Sequence, residues 1–86
     1  MKLNKEFIKH TMDGQTVLVP TAQAPFHGLI QGNRTVGVIL DCLLSDTTEE
    51  EIVRALSERF DGDEAVIRED VSDTLRQLKE IGAIDE

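Results

Sequence analysis

Two histidines, His10 and His27, and one cysteine, Cys42, are the side chains in this 86-residue sequence best suited to nucleophilic or acid–base chemistry. They do not form a set. The histidines fall in two different extended segments, and Cys42 falls inside a helical pattern. No Ser-His-Asp or Cys-His arrangement emerges. A single cysteine excludes an internal disulfide and a Cys-rich metal site, so Cys42 is read as a packing residue. The stretch "DGDEAVIRED" puts Asp61 and Asp63 where a calcium loop has its first and third ligands. Ala65 then stands at the fifth position and no glycine follows at the sixth, so the stretch reads as a solvated helix boundary. "GLIQGN" lacks the Lys and Ser/Thr of a phosphate loop. An acyl carrier needs a serine after an acidic residue at a helix start, and neither Asp46-Thr47 nor Ser72-Asp73-Thr74 supplies one. The expectation is a protein that is not an enzyme and carries no cofactor or metal.

Bulk properties narrow the partner. The formal charge is -8 at pH 7. Such a surface repels phosphate backbones, which makes nucleic acid an unfavourable partner and a neutral or basic peptide or protein a favourable one. Phe7, Phe26 and Phe60 are the only aromatic residues, so the core must be mostly aliphatic. A chain of this length fits one domain, residues 1–86, with little room for a deep cofactor pocket. "MKLNKEFIKH" lacks the apolar run of a signal peptide. No run approaches the roughly 18 apolar residues that span a bilayer. A cytoplasmic location without membrane association is therefore expected.

The elements that would position a binding site are legible in outline. Glu6–Met12 and "QTVLVP" flank Asp13-Gly14, a tight-turn dipeptide, and so predict a hairpin. "PTAQAPF" has two prolines and predicts a loop over 20–26. "HGLIQG" predicts a third, short strand over 27–31, completing an antiparallel meander. Asn33 then caps a helix from about Arg34 to Leu44, with Val36, Ile39, Leu40 and Leu43 on one stripe. Thr48 with Glu51 three residues on fits a capping box and opens a second helix, with Ile52, Val53, Leu56 and Phe60 apolar. "DGDE" breaks it. A third helix over 64–81 carries Ile67, Val71, Leu75 and Leu78, extended by Val66 and Ile81, and Gly82 ends it. A three-stranded antiparallel sheet followed by three α-helices is an α+β, winged-helix-like fold.

That shape suggests two classes of function. A DNA-reading helix needs Arg, Lys, Asn or Gln aimed at base edges. The third helix instead carries Glu64, Glu69, Asp70, Asp73 and Glu80 against Arg68, Arg76 and Lys79. A small winged-helix DNA-binding or regulatory protein therefore remains the alternative. The other class rests on the meander's third strand, which pairs on one side only. Its segment, His27 to Gln31, has neither the proline nor the formal charge that blunts most sheet edges. Packed beside the third helix, it would offer a groove for a peptide added as an extra strand. A homodimer partner or the 20–26 loop are the rival occupants of that edge.

The ordered whole resembles a known family. The hairpin and the short strand ending in Gly-Asn lead into "TVGVILDCL", then "TTEEEIVRALSERFD", then "DEAVIREDVSDTLRQLKEIGAI". Over about residues 7–84 this is similar to PqqD-like proteins, the recognition elements for ribosomally made, modified peptides. The resemblance implies a peptide chaperone that captures a precursor's leader by strand addition. It would present that precursor to a modifying enzyme, often a radical S-adenosylmethionine protein. By position, it implies a peptide-binding set of His27, Gly28, Leu29, Ile30 and Gln31 from the strand. From the helix it implies Ile67, Asp70, Val71 and Thr74, although Val71, like Leu75, also reads as core. One departure from the family stands out: the 20–26 loop, with Pro20 and Pro25, is longer and is placed to cover the strand edge.

Overall fold

Alternating burial along the central strand organises the sheet. The computed structural model describes residues 1–28 and 30–85. Its elements are β1 (Lys2–Leu3), β2 (Phe7–Met12), β3 (Gln15–Pro20), β4 (Ile30–Gly32), α1 (Arg34–Cys42), α2 (Glu49–Arg59), α3 (Glu64–Glu80) and β5 (Ile84–Asp85). Thr16 and Leu18 of β3 are buried, and Val17 and Val19 face outward. Asp13 and Gly14, both at positive φ, turn β2 into β3, so that Phe7 opposes Pro20 and Met12 opposes Gln15. On the other side of β3, Leu18 opposes Ile30 and Thr16 opposes Gly32. The sheet order is β2-β3-β4, antiparallel throughout. This is the expected meander, followed by the three expected helices.

The third strand is shorter than the sequence suggested. It occupies Ile30–Gly32, not 27–31; His27 and Gly28 precede it as irregular backbone. Asn33 accepts the Val36 N–H at 3.1 Å and starts α1. Gly37, inside α1, lies against β3: a Cβ there would stand 2.6 Å from Thr16 Oγ1. That close approach brings Ile39, Leu40 and Leu43 onto the core face of the sheet. Lys9 of β2 reaches across the same face to Asp41.

Only half of the expected capping box forms at α2. Thr48 Oγ1 accepts the Glu51 N–H at 3.2 Å, but the Glu51 carboxylate turns to the Thr47 hydroxyl at 3.1 Å. Ile52, Val53 and Leu56 are buried, and Asp63 caps α3 by accepting the Ala65 N–H at 2.8 Å. Val71, Leu75 and Leu78 form the α3 seam. Val66, expected to extend it, sits in the first turn of α3 and is exposed instead. The helix ends in a Schellman arrangement: Ala83 N–H donates to Leu78 O, and Gly82, at φ 75°, donates to Lys79 O.

One pairing had no sequence signal. β5 pairs antiparallel with β1, matching Leu3 to Ile84. Leu3 N–H also donates to Leu43 O, and Asn4 N–H to Ala83 O. The N-terminal strand therefore ties the end of α1 to the end of α3. Apart from Phe7, the large buried side chains are aliphatic.

Cys42 is half-buried against this core, and burial, helped by Asp41 and Glu51 and opposed by Arg59, pushes its thiol pKa up. A thiol reagent at pH 8 is therefore expected to label Cys42 more slowly in the folded protein than in urea, because the thiolate is the reactive form. Equal rates would contradict its packing role. Gly37→Ala is expected to destabilise the protein by about 1–3 kcal/mol in urea titrations, through the clash with Thr16. At an open helical site the same change stabilises by about 0.5–1 kcal/mol, so the sign decides whether that contact is tight.

Candidate functional site

β4 is an edge strand. Its one partner is β3, and among the described residues no strand or loop backbone pairs with its other side. A β-strand offers outward N–H and C=O groups at every second residue. Ile30 and Gly32 share the core-facing side with Leu18 and Thr16, while Gln31 shares the outer face with Val17 and is exposed.

Beside this edge lies a cleft of about 300 Å³. Ile30 and Gln31 line it from β4 and Val36 from the first turn of α1. Thr74, Gln77, Leu78 and Ile81 line it from α3, at the three- and four-residue spacing of one helix face. Phe26 lines it from the 20–26 loop. Most of these groups are apolar, and Thr74 and the two glutamine amides supply hydrogen-bonding capacity without a formal charge. Glu80 adds one carboxylate.

The 20–26 loop leaves the edge open. Its start is tied to the far side of the sheet, where Thr21 N–H donates to Glu6 O and the Thr21 hydroxyl to the Glu6 carboxylate. Its middle is tied down at Ala24, which is buried and donates to Thr21 O. Pro25 packs on Gly82, where a Cβ would come within 2.6 Å of the proline ring. The loop thus passes below the end of α3, and only the Phe26 ring enters the cleft.

The residues singled out from the sequence are divided by the fold. Ile30, Gln31 and Thr74 meet in the cleft. His27 and Gly28 line a shallow depression with Val19, Pro20, Thr21 and Ala22, and His27 Nε2 lies 3.5 Å from Ala22 O. Leu29 lies outside the described residues. Ile67 and Asp70 sit one to two turns before Thr74 on α3, in a second cleft with Thr35 and Phe60. Val71 has no exposed surface and belongs to the core, so in this conformation it offers a guest chain nothing to touch. Phe26, Val36, Gln77, Leu78 and Ile81 were not anticipated. For three of them a signal existed: Gln77, Leu78 and Ile81 continue the helix face that Thr74 begins.

His10 and Cys42 do not line the cleft. His10 is on the outer face of the sheet opposite Val17, and Cys42 is at the end of α1. Among the described residues, no three His, Cys, Asp or Glu side chains come together as a metal would need. No helix among them is long and apolar enough to cross a membrane.

Comparison with known proteins agrees with this geometry. The structure of TbiB1 in complex with the TbiA(beta) leader peptide superposes with a TM-score of 0.77 at 25% identity, covering 99% of this chain and 100% of that one. A lasso peptide synthetase B1 complexed with the leader peptide has the same fold, with a TM-score of 0.76 at 21% identity over 95% of this chain and 93% of that one. No curated protein matches the sequence. The family described as coenzyme PQQ synthesis protein D (PqqD) matches residues 15–84, from β3 through β5. The chain belongs to the PqqD family.

Proposed function

We propose that this protein works as one peptide-recognition domain over residues 1–86, capturing the leader of a ribosomally made precursor peptide. The leader adds as a fourth strand on β4 and leans on α3. The observation that carries this reading is the unpaired edge of Ile30–Gly32 beside an apolar cleft. Its support from outside is the likeness, over almost the full chain, to a protein solved with a leader peptide bound. The domain needs no chemistry of its own. Holding the precursor and a modifying enzyme together raises the effective concentration of substrate at the enzyme. A radical S-adenosylmethionine protein is the class of enzyme we assign to that role.

The energetics favour side chains over backbone. A three-residue edge allows only a few ladder bonds, each worth about 0.5–1.5 kcal/mol net. Ordering the leader consumes a comparable amount. Selectivity therefore comes from alternate side chains of the guest entering the cleft between Ile30, Thr74 and Ile81. His27 and Gly28 lie where the guest enters, and Ile67 and Asp70 where it leaves. The charge of -8 favours a basic leader or enzyme surface and speeds the encounter.

Titration with the leader encoded by a precursor gene beside this one tests the reading. Amide signals of Ile30–Gly32 and Thr74–Ile81 are expected to shift together. A folded protein that shows no shifts, or that binds duplex DNA in a salt-dependent manner instead, would contradict it. Thr74→Arg, which fills the cleft from an accessible helix position, is expected to weaken leader binding by roughly tenfold or more with an unchanged circular dichroism spectrum. Unchanged affinity would place the guest elsewhere.

A further inference from the structure

A second cleft continues the first around the start of α1. It has a volume of about 280 Å³ and an apolar floor of Leu56, Phe60 and Ile67, with exposed Val66 at its rim. Thr35 faces it, while the next residue, Val36, faces the β4 groove. Asp70 faces it, while Thr74, one turn on, faces the groove. The two clefts are thus neighbours along one side of α3, and their nearest lining residues, Asp70 and Thr74, are about 6 Å apart along its axis. That is roughly two residues of extended chain. Because β4 runs into α1 at Asn33, a guest leaving the groove at the Gly32 end passes this cleft.

The charges of this second cleft are unbalanced. Asp61, Asp63 and Asp70 line it. Asp63 is occupied in capping α3. Among the described residues, Asp61 and Asp70 have neither an ion-pair partner nor a hydrogen-bond donor. The nearby Arg68 is committed to Glu50 and Glu64. Arg34 instead sits over one face of the Phe60 ring, 5.7 Å from its centroid. An apolar floor below free carboxylates suits a side chain with a long apolar stem and a cationic head.

We propose that this cleft is a subsite for a lysine or arginine of the guest peptide, a few residues beyond the segment laddered to β4. The methylenes pack on Phe60 and Ile67, and the charge meets Asp61 and Asp70. The proposal rests on the strand-addition reading for its occupant, but the cleft itself can be tested without a leader.

N-acetyl-arginine methylamide is the probe, and N-acetyl-citrulline methylamide is its neutral counterpart of nearly equal shape. The arginine probe is expected to shift the amide signals of Thr35, Gly62 and Asp70 and to bind roughly fivefold tighter than the citrulline probe. In the Asp61→Asn/Asp70→Asn variant that difference disappears. In Asp13→Asn/Asp85→Asn, which removes the same charge away from the cleft, it persists. Equal binding of the two probes, or a preference that survives loss of Asp61 and Asp70, overturns the subsite. A neighbouring leader that binds the groove is also expected to lose roughly fivefold in affinity with the first variant and not with the second. A leader that binds both variants equally overturns the subsite and leaves strand addition standing. Probe binding at the cleft without leader binding at β4 overturns strand addition and leaves a cationic site.

Discussion

The site depends on one unmatched row of backbone groups. Ile30, Gln31 and Gly32 pair with β3 on one side and with nothing among the described residues on the other. Exposed edges invite association with any extended chain, and most proteins blunt them. This one leaves three residues unblunted and limits the liability by keeping the strand short and setting α3 beside it. A guest must satisfy the ladder and the cleft together, and few chains do both.

Much of the remaining fold holds that opening in place. Gly37 lets α1 approach Thr16, which fixes Val36 at the groove wall. The Schellman end of α3 turns Gly82 onto Pro25, and the loop is further anchored by Glu6 and Ala24. The proline-bearing segment is thereby spent on the base of the domain and not on its edge. β1 and β5 clasp the ends of α1 and α3, the two helices that form the groove wall and floor. The groove is thus a fixed distance between elements, held from below.

The sequence was most informative where one residue type has one physical use. Asp13-Gly14 announced the hairpin, Asn33 and Thr48 the helix starts, and Gly82 the helix end. Period and burial agreed for Ile39, Leu40, Ile52, Leu56 and Leu75. What failed depends on long-range placement. β1 and β5 are two-residue strands whose pairing joins opposite ends of the chain, and no local pattern encodes it. The cleft beside β4 is lined by Thr74, Gln77, Leu78 and Ile81, about two turns later on α3 than the set of Ile67, Asp70, Val71 and Thr74 expected from the sequence. Periodicity says which face of a helix is apolar, not how far along its axis a neighbouring strand crosses. Val71 shows the same limit: an apolar residue on the right face reads identically as floor or as core. Asp70, expected in the groove, lines the adjoining cleft together with Asp61.

Amide hydrogen exchange at Ile30–Gly32 tests the central claim most directly. Alternate N–H groups of this edge should exchange readily in the free protein and become protected when a leader peptide saturates it, because the guest backbone accepts their hydrogen bonds. A saturating leader that leaves these amides as unprotected as before would show that the guest does not extend the sheet.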